Sequence, residues 1–237
     1  EIALPRLLAR VESLARSSPS AITVVVYNDG STDQTAAIAA QWGARMSLVM
    51  LDCPQNKGLG VGLRSLIEYA VVNGKPDDVL VVMDCDDTHD PAQIPEMLAA
   101  MTTGADVVIA SRYQRGATVR GVPPLRRLTA LGALTLFKMI HPVRNVWDYT
   151  CGYRAYRIGL LQDAAKRFRG RLVEETGFAC MVEILLKLNA MGARCAEVGL
   201  HLRYDLKPTA SKMAVSSNLR RLLALLVRWR WRGFEAA

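Results

Sequence analysis

The chain has 237 residues, 51% of them hydrophobic, and a formal charge of +8 with a pI near 9.5. That is enough apolar material for one substantial core, and it contains no apolar run of about 18 residues, which excludes a membrane-spanning helix. The charged, amphipathic opening is unlike a signal peptide, and five cysteines without paired spacing fit a reduced, cytosolic setting better than a disulfide framework.

In chain order, Leu4, Leu7, Leu8, Val11 and Leu14 follow helical spacing up to Pro19. AITVVVY (21–27) reads as a buried parallel strand. It stops at NDGSTDQT, where Ser31 and Gln34 have capping-box spacing for a helix through about Trp42. A second strand (46–51) precedes NKGLGVGL, which opens a helix to about Val72. The strand VLVVM (79–83) ends in Asp84, Asp86 and Asp87, and Pro91 suits the first turn of the next helix. DVVIASR (106–112) is a further strand. Residues 113–124 read as a loop, followed by an apolar helix from about Leu125 to Ile140. A short strand (149–157), helices near 158–168 and 176–191, and a strand near 193–203 come next. The last stretch, SSNLRRLLALLVRWRWRGF (216–234), is basic and helical.

This alternation implies an α/β domain with a mainly parallel central sheet flanked by helices. Ligands gather at the carboxyl ends of such strands, where Asp29, Asp84, Asp86 and Arg112 fall. Carboxylates converging there repel one another and resist desolvation, so something positive should meet them. Asp-x-Asp at a strand end points two carboxylates the same way, as a hard divalent cation requires. A solvated acidic turn capping the helix at Pro91 is the other reading of the motif. The positive charge suggests an anionic partner, but the acidic strand-end loop argues against nucleic acid.

Taken together and in order, NDGSTDQT (28–35), NKGLGVGL (56–63), MDCDDTHDP (83–91), ASRYQRG (110–116), DYTCGYRAYR (148–157) and ASKM (210–213) resemble the family 2 glycosyltransferases with the GT-A (Rossmann-like) fold. The nearest branch resembles the polyprenyl-phosphate (dolichyl-phosphate) mannose synthases. The resemblance implies a single GT-A domain over 1–213 and a basic amphipathic C-terminal helix over 214–237. It also places an apolar strand mid-sheet ahead of Glu1, outside the sequence given.

The resemblance implies further that Asp84 and Asp86 bind Mg²⁺ or Mn²⁺ through a nucleoside-diphosphate sugar. Thr88 stands where the synthases often have a glutamine ligand, and Asp87 or water is an alternative third donor. Asp29 matches a contact to the nucleotide, with an Asx turn beside Gly30 as its structural alternative; Asn28 replaces a more usual aspartate. Lys57 lies in the second block of the donor site. Arg112 and Arg126 match two arginines that grip phosphates, with Arg127 one residue away, and guanidinium forks suit phosphate oxygens. Lys212 matches a lysine near the phosphates, and Arg203 or Lys207 a looser phosphate contact. Asp148 precedes the T-C-G-Y-R block and would be the general base for a hydroxyl acceptor. Glu183 matches a glutamate proposed to hold sugar hydroxyls, or it forms a salt bridge with Arg154.

The implied reaction is inverting transfer from a nucleoside-diphosphate sugar to a polyprenyl phosphate. A phosphate acceptor is already anionic and needs no strong base. Competing readings keep the donor with a soluble aglycone or glycan acceptor, make the chain a nucleotide-sugar binding module without turnover, or make it a nucleotidyltransferase. The C-terminal stretch, with its two tryptophans, suits the cytoplasmic face of a membrane. The helix at 125–140 adds apolar contact there, or packs on the core or on a second copy in a homo-oligomer.

Overall fold

The computed structural model describes residues 1–121, 132, 134–206, 221–222 and 224–225. Helix α1 (Leu4–Ser17) opens the chain, with Pro5 in its first turn and Leu4, Leu7, Leu8 and Val11 on its buried face. Buried Glu12 shares that face, and Arg16 and Arg45 hold it at 2.8 and 2.6 Å. Strand β1 (Val24–Asp29) pairs in parallel with β2 (Leu48–Cys53), in the register Tyr27 to Leu51, around helix α2 (Thr35–Gly43). The expected capping box does not form. Asp33 accepts from Thr35 N and Oγ1 instead, and Ser31 N donates to the Asn28 side chain. A side chain already at the turn reached the orphan amide first.

Helix α3 (Leu59–Asn73) leads to β3 (Val79–Val82), and a single 3-10 turn (Pro91–Gln93) runs into α4 (Ile94–Thr102). Next come β4 (Val107–Ser111), β5 (Thr118–Arg120) and the helical residues 134–140, here α5. Strand β6 (Arg154–Arg157), helix α6 (Ile158–Arg167), helix α7 (Cys180–Ala190), β7 (Cys195–Gly199) and β8 (His201–Arg203) complete the described elements.

The central sheet runs β3-β6-β4-β7, with β4 and β7 parallel and β6 antiparallel to both of its neighbours. Two expectations change here. The loop at 113–124 contains β5, which pairs in parallel with β8, and the strand near 193–203 divides at Leu200 into β7 and β8. Gln93, buried after the acidic loop, fixes that division. Its amide donates to Gly199 O at 2.5 Å and accepts from His201 N at 2.8 Å.

Strands β1 and β3 both pack on α3 but are not hydrogen-bonded to each other, so β1-β2 forms its own sheet.

Every residue of β4 is buried, as is every residue of α7 from Cys180 to Leu188. That helix is buried on all sides, and its two charged residues in this stretch, Glu183 and Lys187, pair with each other. Arg154 is fully buried beside it and donates to the carbonyls of Tyr149, Cys151 and Met181 at 2.7–2.8 Å. It pins 149–154 to α7 and makes no pair with Glu183.

Helix α3 begins against the segment before α7. Gly60 N donates to Thr176 O at 2.9 Å, and a Cβ on Gly60 would lie 1.7 Å from Glu175 O. Gly60→Ala must push backbone from backbone and is expected to lose about 3 kcal/mol in denaturant unfolding. Gly43→Ala, with nothing within 4 Å of the new methyl, should unfold at or slightly above the wild-type midpoint.

Candidate active site

Four groups hold the acidic loop that leaves β3. Asp84 is exposed and Asp86 half-buried, whereas Asp87, Thr88 and His89 are buried. Arg10, reaching from α1, donates to Asp87 at 2.8 Å and to Asp90. Asp87 adopts a left-handed backbone, with φ of 59°. The Asp84 amide donates to His89 Nδ1 at 3.1 Å, which fixes the proton of the neutral ring on Nε2. The His89 ring stacks on Tyr153, centroids 4.9 Å apart, and Tyr153 Oη donates to Asp90 O at 2.8 Å. From the other side, Arg203 N donates to Thr88 O at 3.0 Å and His89 bridges to Leu202.

Thr88, expected as a third metal ligand, lies against one of the two expected carboxylate ligands. Its hydroxyl donates to Asp86 Oδ1 at 2.6 Å and orients that carboxylate. The Arg203 guanidinium is paired with Asp205 at 2.9–3.2 Å, so the residue joins the loop through its backbone. Arg10 is a loop-holding residue that the sequence motifs do not reveal. It belongs to a helix whose pattern shows only which side is apolar.

Asp148 is the second centre. Its carboxylate has no exposed surface, yet it accepts from Arg112 Nε and Nη2 at 2.7 and 2.6 Å and from the amides of Arg112, Thr150 and Cys151. Burial pushes its pKa up, but Arg112 outweighs burial and holds the carboxyl below the usual range. The Arg112 guanidinium, penalised by burial, is raised by Asp148. Its Nη2 also donates to Thr150 Oγ1 at 2.6 Å, which leaves the Nη1 edge facing away from this clamp.

Glu197, on β7, holds the clamp from behind. It accepts from the Trp147 and Asp148 amides at 2.7 and 2.6 Å and from Gln114 at 3.1 Å. Spacing along β7 could not have identified it. The two centres adjoin, because a Cβ on Gly152 would lie 3.8 Å from Asp84 Oδ1.

On the β1 side, Asp29 accepts from the amides of Lys57 and Gly58 at 2.7 and 2.9 Å. Lys57 therefore meets Asp29 through its main chain. Gly30, with φ of 68°, sits so close to residues 55 and 56 that an added Cβ would be 2.6 Å from Asn56 N. Asn28 donates to Asp52 Oδ1 at 2.8 Å, so an aspartate there would oppose a second carboxylate.

Glu183 is fully buried. It accepts from the Glu174 and Glu175 amides at 2.8 Å each and from Lys187 at 2.8 Å. Its cation is Lys187, one helical turn away, rather than Arg154. These contacts hold 174–176, the segment under α3, in place.

Arg126, Arg127, Lys207 and Lys212 lie outside the described residues, as does most of 214–237. The described part of that tail turns inward: Leu225 is buried in the core, and Arg221 donates to Thr176 Oγ1 at 3.1 Å.

Among the described residues, no group of three His, Cys, Asp or Glu side chains is arranged to hold a metal ion. The loop offers two carboxylates. That suits an ion which keeps waters and binds substrate phosphates, and does not suit a closed protein cage.

The carboxylate loop and the clamped guanidinium lie at adjoining strand ends of an α/β sheet, and the solved structures this fold matches are GT-A glycosyltransferases. The glycosyl transferase family 2 pattern matches residues 2–164, and the chain belongs to that family as a glycosyltransferase. Polyprenol monophosphomannose synthase of Mycolicibacterium smegmatis is 28% identical over 97% of this chain and 83% of its own length. Dolichyl-phosphate hexose transferase of Haloferax volcanii is 35% identical over 76% and 69%. Among solved structures, glucosyl-3-phosphoglycerate synthase of Mycobacterium tuberculosis with Mn²⁺, UDP-glucose and glycerol 3-phosphate superposes with a TM-score of 0.58 at 20% identity. The match covers 94% of this chain and 76% of that one.

The clamp has a defined pH signature. A carboxyl whose folded pKa is depressed contributes fully above its unfolded value, about pH 4, and loses the contribution as pH falls below it. Asp148→Asn leaves Arg112 opposite a neutral amide and should cost about 3 kcal/mol at pH 7 by denaturant unfolding. The gap between wild type and variant should stay constant from about pH 5 to 8 and narrow below about pH 4.

Proposed function

We infer that this glycosyltransferase moves a sugar from a nucleoside-diphosphate sugar to a polyprenyl phosphate at a cytoplasmic membrane surface, inverting the anomeric centre. The observation that carries the acceptor class is the state of Asp148. A hydroxyl acceptor needs a base, and Asp148 has both oxygens engaged by Arg112 and backbone amides. Protonating it would break the clamp. A phosphate acceptor arrives already deprotonated and needs a fixed cation, which is what Asp148 makes of Arg112. The names of the Mycolicibacterium and Haloferax relatives point to the same acceptor class.

In this reading Asp84 and Asp86 hold a divalent cation, Mg²⁺ or Mn²⁺, with Thr88 fixing the rotamer of Asp86. When bound, that ion neutralises charge on the departing diphosphate. Asp29, held by the Lys57 and Gly58 amides, receives the nucleotide. The Nη1 edge of Arg112 takes an acceptor phosphate oxygen, and Arg126, Lys212 and the Arg203 region supply further positive charge. Glu183 acts as a positioning residue: it fixes 174–176 and, through Gly60, the start of α3.

The test is product analysis with UDP-, GDP- and dTDP-sugars, undecaprenyl or dolichyl phosphate, and Mn²⁺ or Mg²⁺. A lipid-linked sugar should form only with metal. Asp86→Ala should lower kcat/KM about a hundredfold or more, and Arg112→Lys, which removes the fork, at least about tenfold. Donor hydrolysis without lipid product would move the acceptor to a soluble molecule. No turnover of any donor, with nucleotide binding retained, would overturn the reading in favour of a binding module.

A further inference from the structure

Six large apolar side chains are exposed among the described residues, and three of them flank one feature. Tyr113, 36% exposed, follows Arg112; Trp147, 50% exposed, precedes Asp148; and Met139, 78% exposed, is at the end of α5. Lys138 joins the last two segments: its Nζ lies 4.5 Å over the Trp147 ring and donates to Val143 O at 3.3 Å. The backbone beneath Trp147 is fixed, because its amide donates to Glu197. Exposed Arg144 stands in the same loop, beside Asn145 with φ of 60°. The ring is therefore displayed on rigid backbone with an ammonium on its face. That differs from an apolar residue left over at a core edge.

The charge of this region is one-sided. Between Asp106 and Asp148 the sequence holds seven Lys or Arg and no Asp or Glu. A patch that combines tryptophan, methionine and an excess of cations fits the boundary between anionic headgroups and acyl chains. In the C-terminal tail, expected to have that role, Leu225 is buried in the core, and most of 214–237 lies outside the described residues.

We propose that the face formed by Met139, Lys138, Arg144 and Trp147 is a docking surface for an anionic lipid bilayer. Trp147 and Met139 enter the boundary while Lys138 and Arg144 lie on the lipid phosphates. The proposal rests on the polyprenyl-phosphate reading, since docking this face brings Arg112 to the plane in which such a phosphate is presented.

The test is co-sedimentation of the full chain with vesicles of phosphatidylcholine alone and of an equal mixture with phosphatidylglycerol. Wild type should prefer the mixed vesicles. The double change Trp147→Ser with Met139→Ser should weaken partition to them about tenfold or more. Lys138→Gln with Arg144→Gln, which keeps both apolar anchors, should abolish the preference for mixed vesicles. Val72→Ser, at the far end of α3 and 80% exposed, should change nothing. Wild-type partition in both double variants would overturn the proposal. So would a wild-type dimer that these changes convert to monomer without affecting vesicle binding, because the face would then cover a second copy. Transfer to a short-chain polyprenyl phosphate dispersed in detergent separates the two readings. If wild type fails there while vesicle binding still depends on Trp147, the acceptor assignment falls and the docking surface stands.

Discussion

The structure turns on one buried carboxylate. Taking a charge such as Asp148 out of water costs several kcal/mol even after relaxation, so it persists only where donors surround it. Arg112 supplies two side-chain bonds, and the amides of Arg112, Thr150 and Cys151 supply the rest. Those donors come from the end of β4 and from the block before β6, so the charge can be satisfied only if both segments are in register. Glu197 on β7 then fixes the Asp148 amide, and buried Arg154 ties the same block to α7. Three elements of the sheet and its central helix thus converge on the residue that aims a guanidinium at the working edge.

The acidic loop meets the same constraint differently. Among the described residues a positive partner is built in for two of its aspartates: Arg10 reaches Asp87 and Asp90 from α1. Asp84 keeps its carboxylate exposed while its amide is anchored on His89, and Asp86 is oriented by Thr88. A loop in which Arg10 neutralised every carboxylate would be more stable and chemically inert. Here two aspartates on rigid backbone, next to the Gly152 corner, retain the oxygen chemistry that a divalent ion needs.

Local signals carried much of this into the sequence. Strands β1 to β4 and the helices between them follow from period and composition, because each buries a face that its own residues define. The motif carboxylates fall at strand ends for the same reason. What local patterns could not show is pairing at a distance. Strands β5 and β8 have three residues each and are set by their partners, so 118–120 reads as loop. The antiparallel direction of β6 depends on which strands it enters between. Arg10 and Glu197 act on residues 77 and 49 positions away, and no spacing rule reaches that far. Glu183 was legible as a buried charge needing a partner, but Lys187 is a better one than Arg154 because it lies one turn along the same helix face. The replacement at Asn28, a departure when read alone, becomes a complement once Asp52 is opposite it.

These contacts divide the working edge into two halves of opposite character. The half around Asp29, α3 and 174–176 is closed by hydrogen bonds: Glu183 holds the 174–175 amides, Thr176 O holds Gly60, and the Lys57 and Gly58 amides hold Asp29. The half from Arg112 to Trp147 has an excess of cations and displays apolar side chains. The proposed reaction between two anions would use both: one substrate held without freedom so that its leaving group points at fixed charge, the other drawn in by a field that outweighs their repulsion. Asp148 stands at the junction and serves both demands, because the charge that neutralises it inside the protein is the charge presented outside.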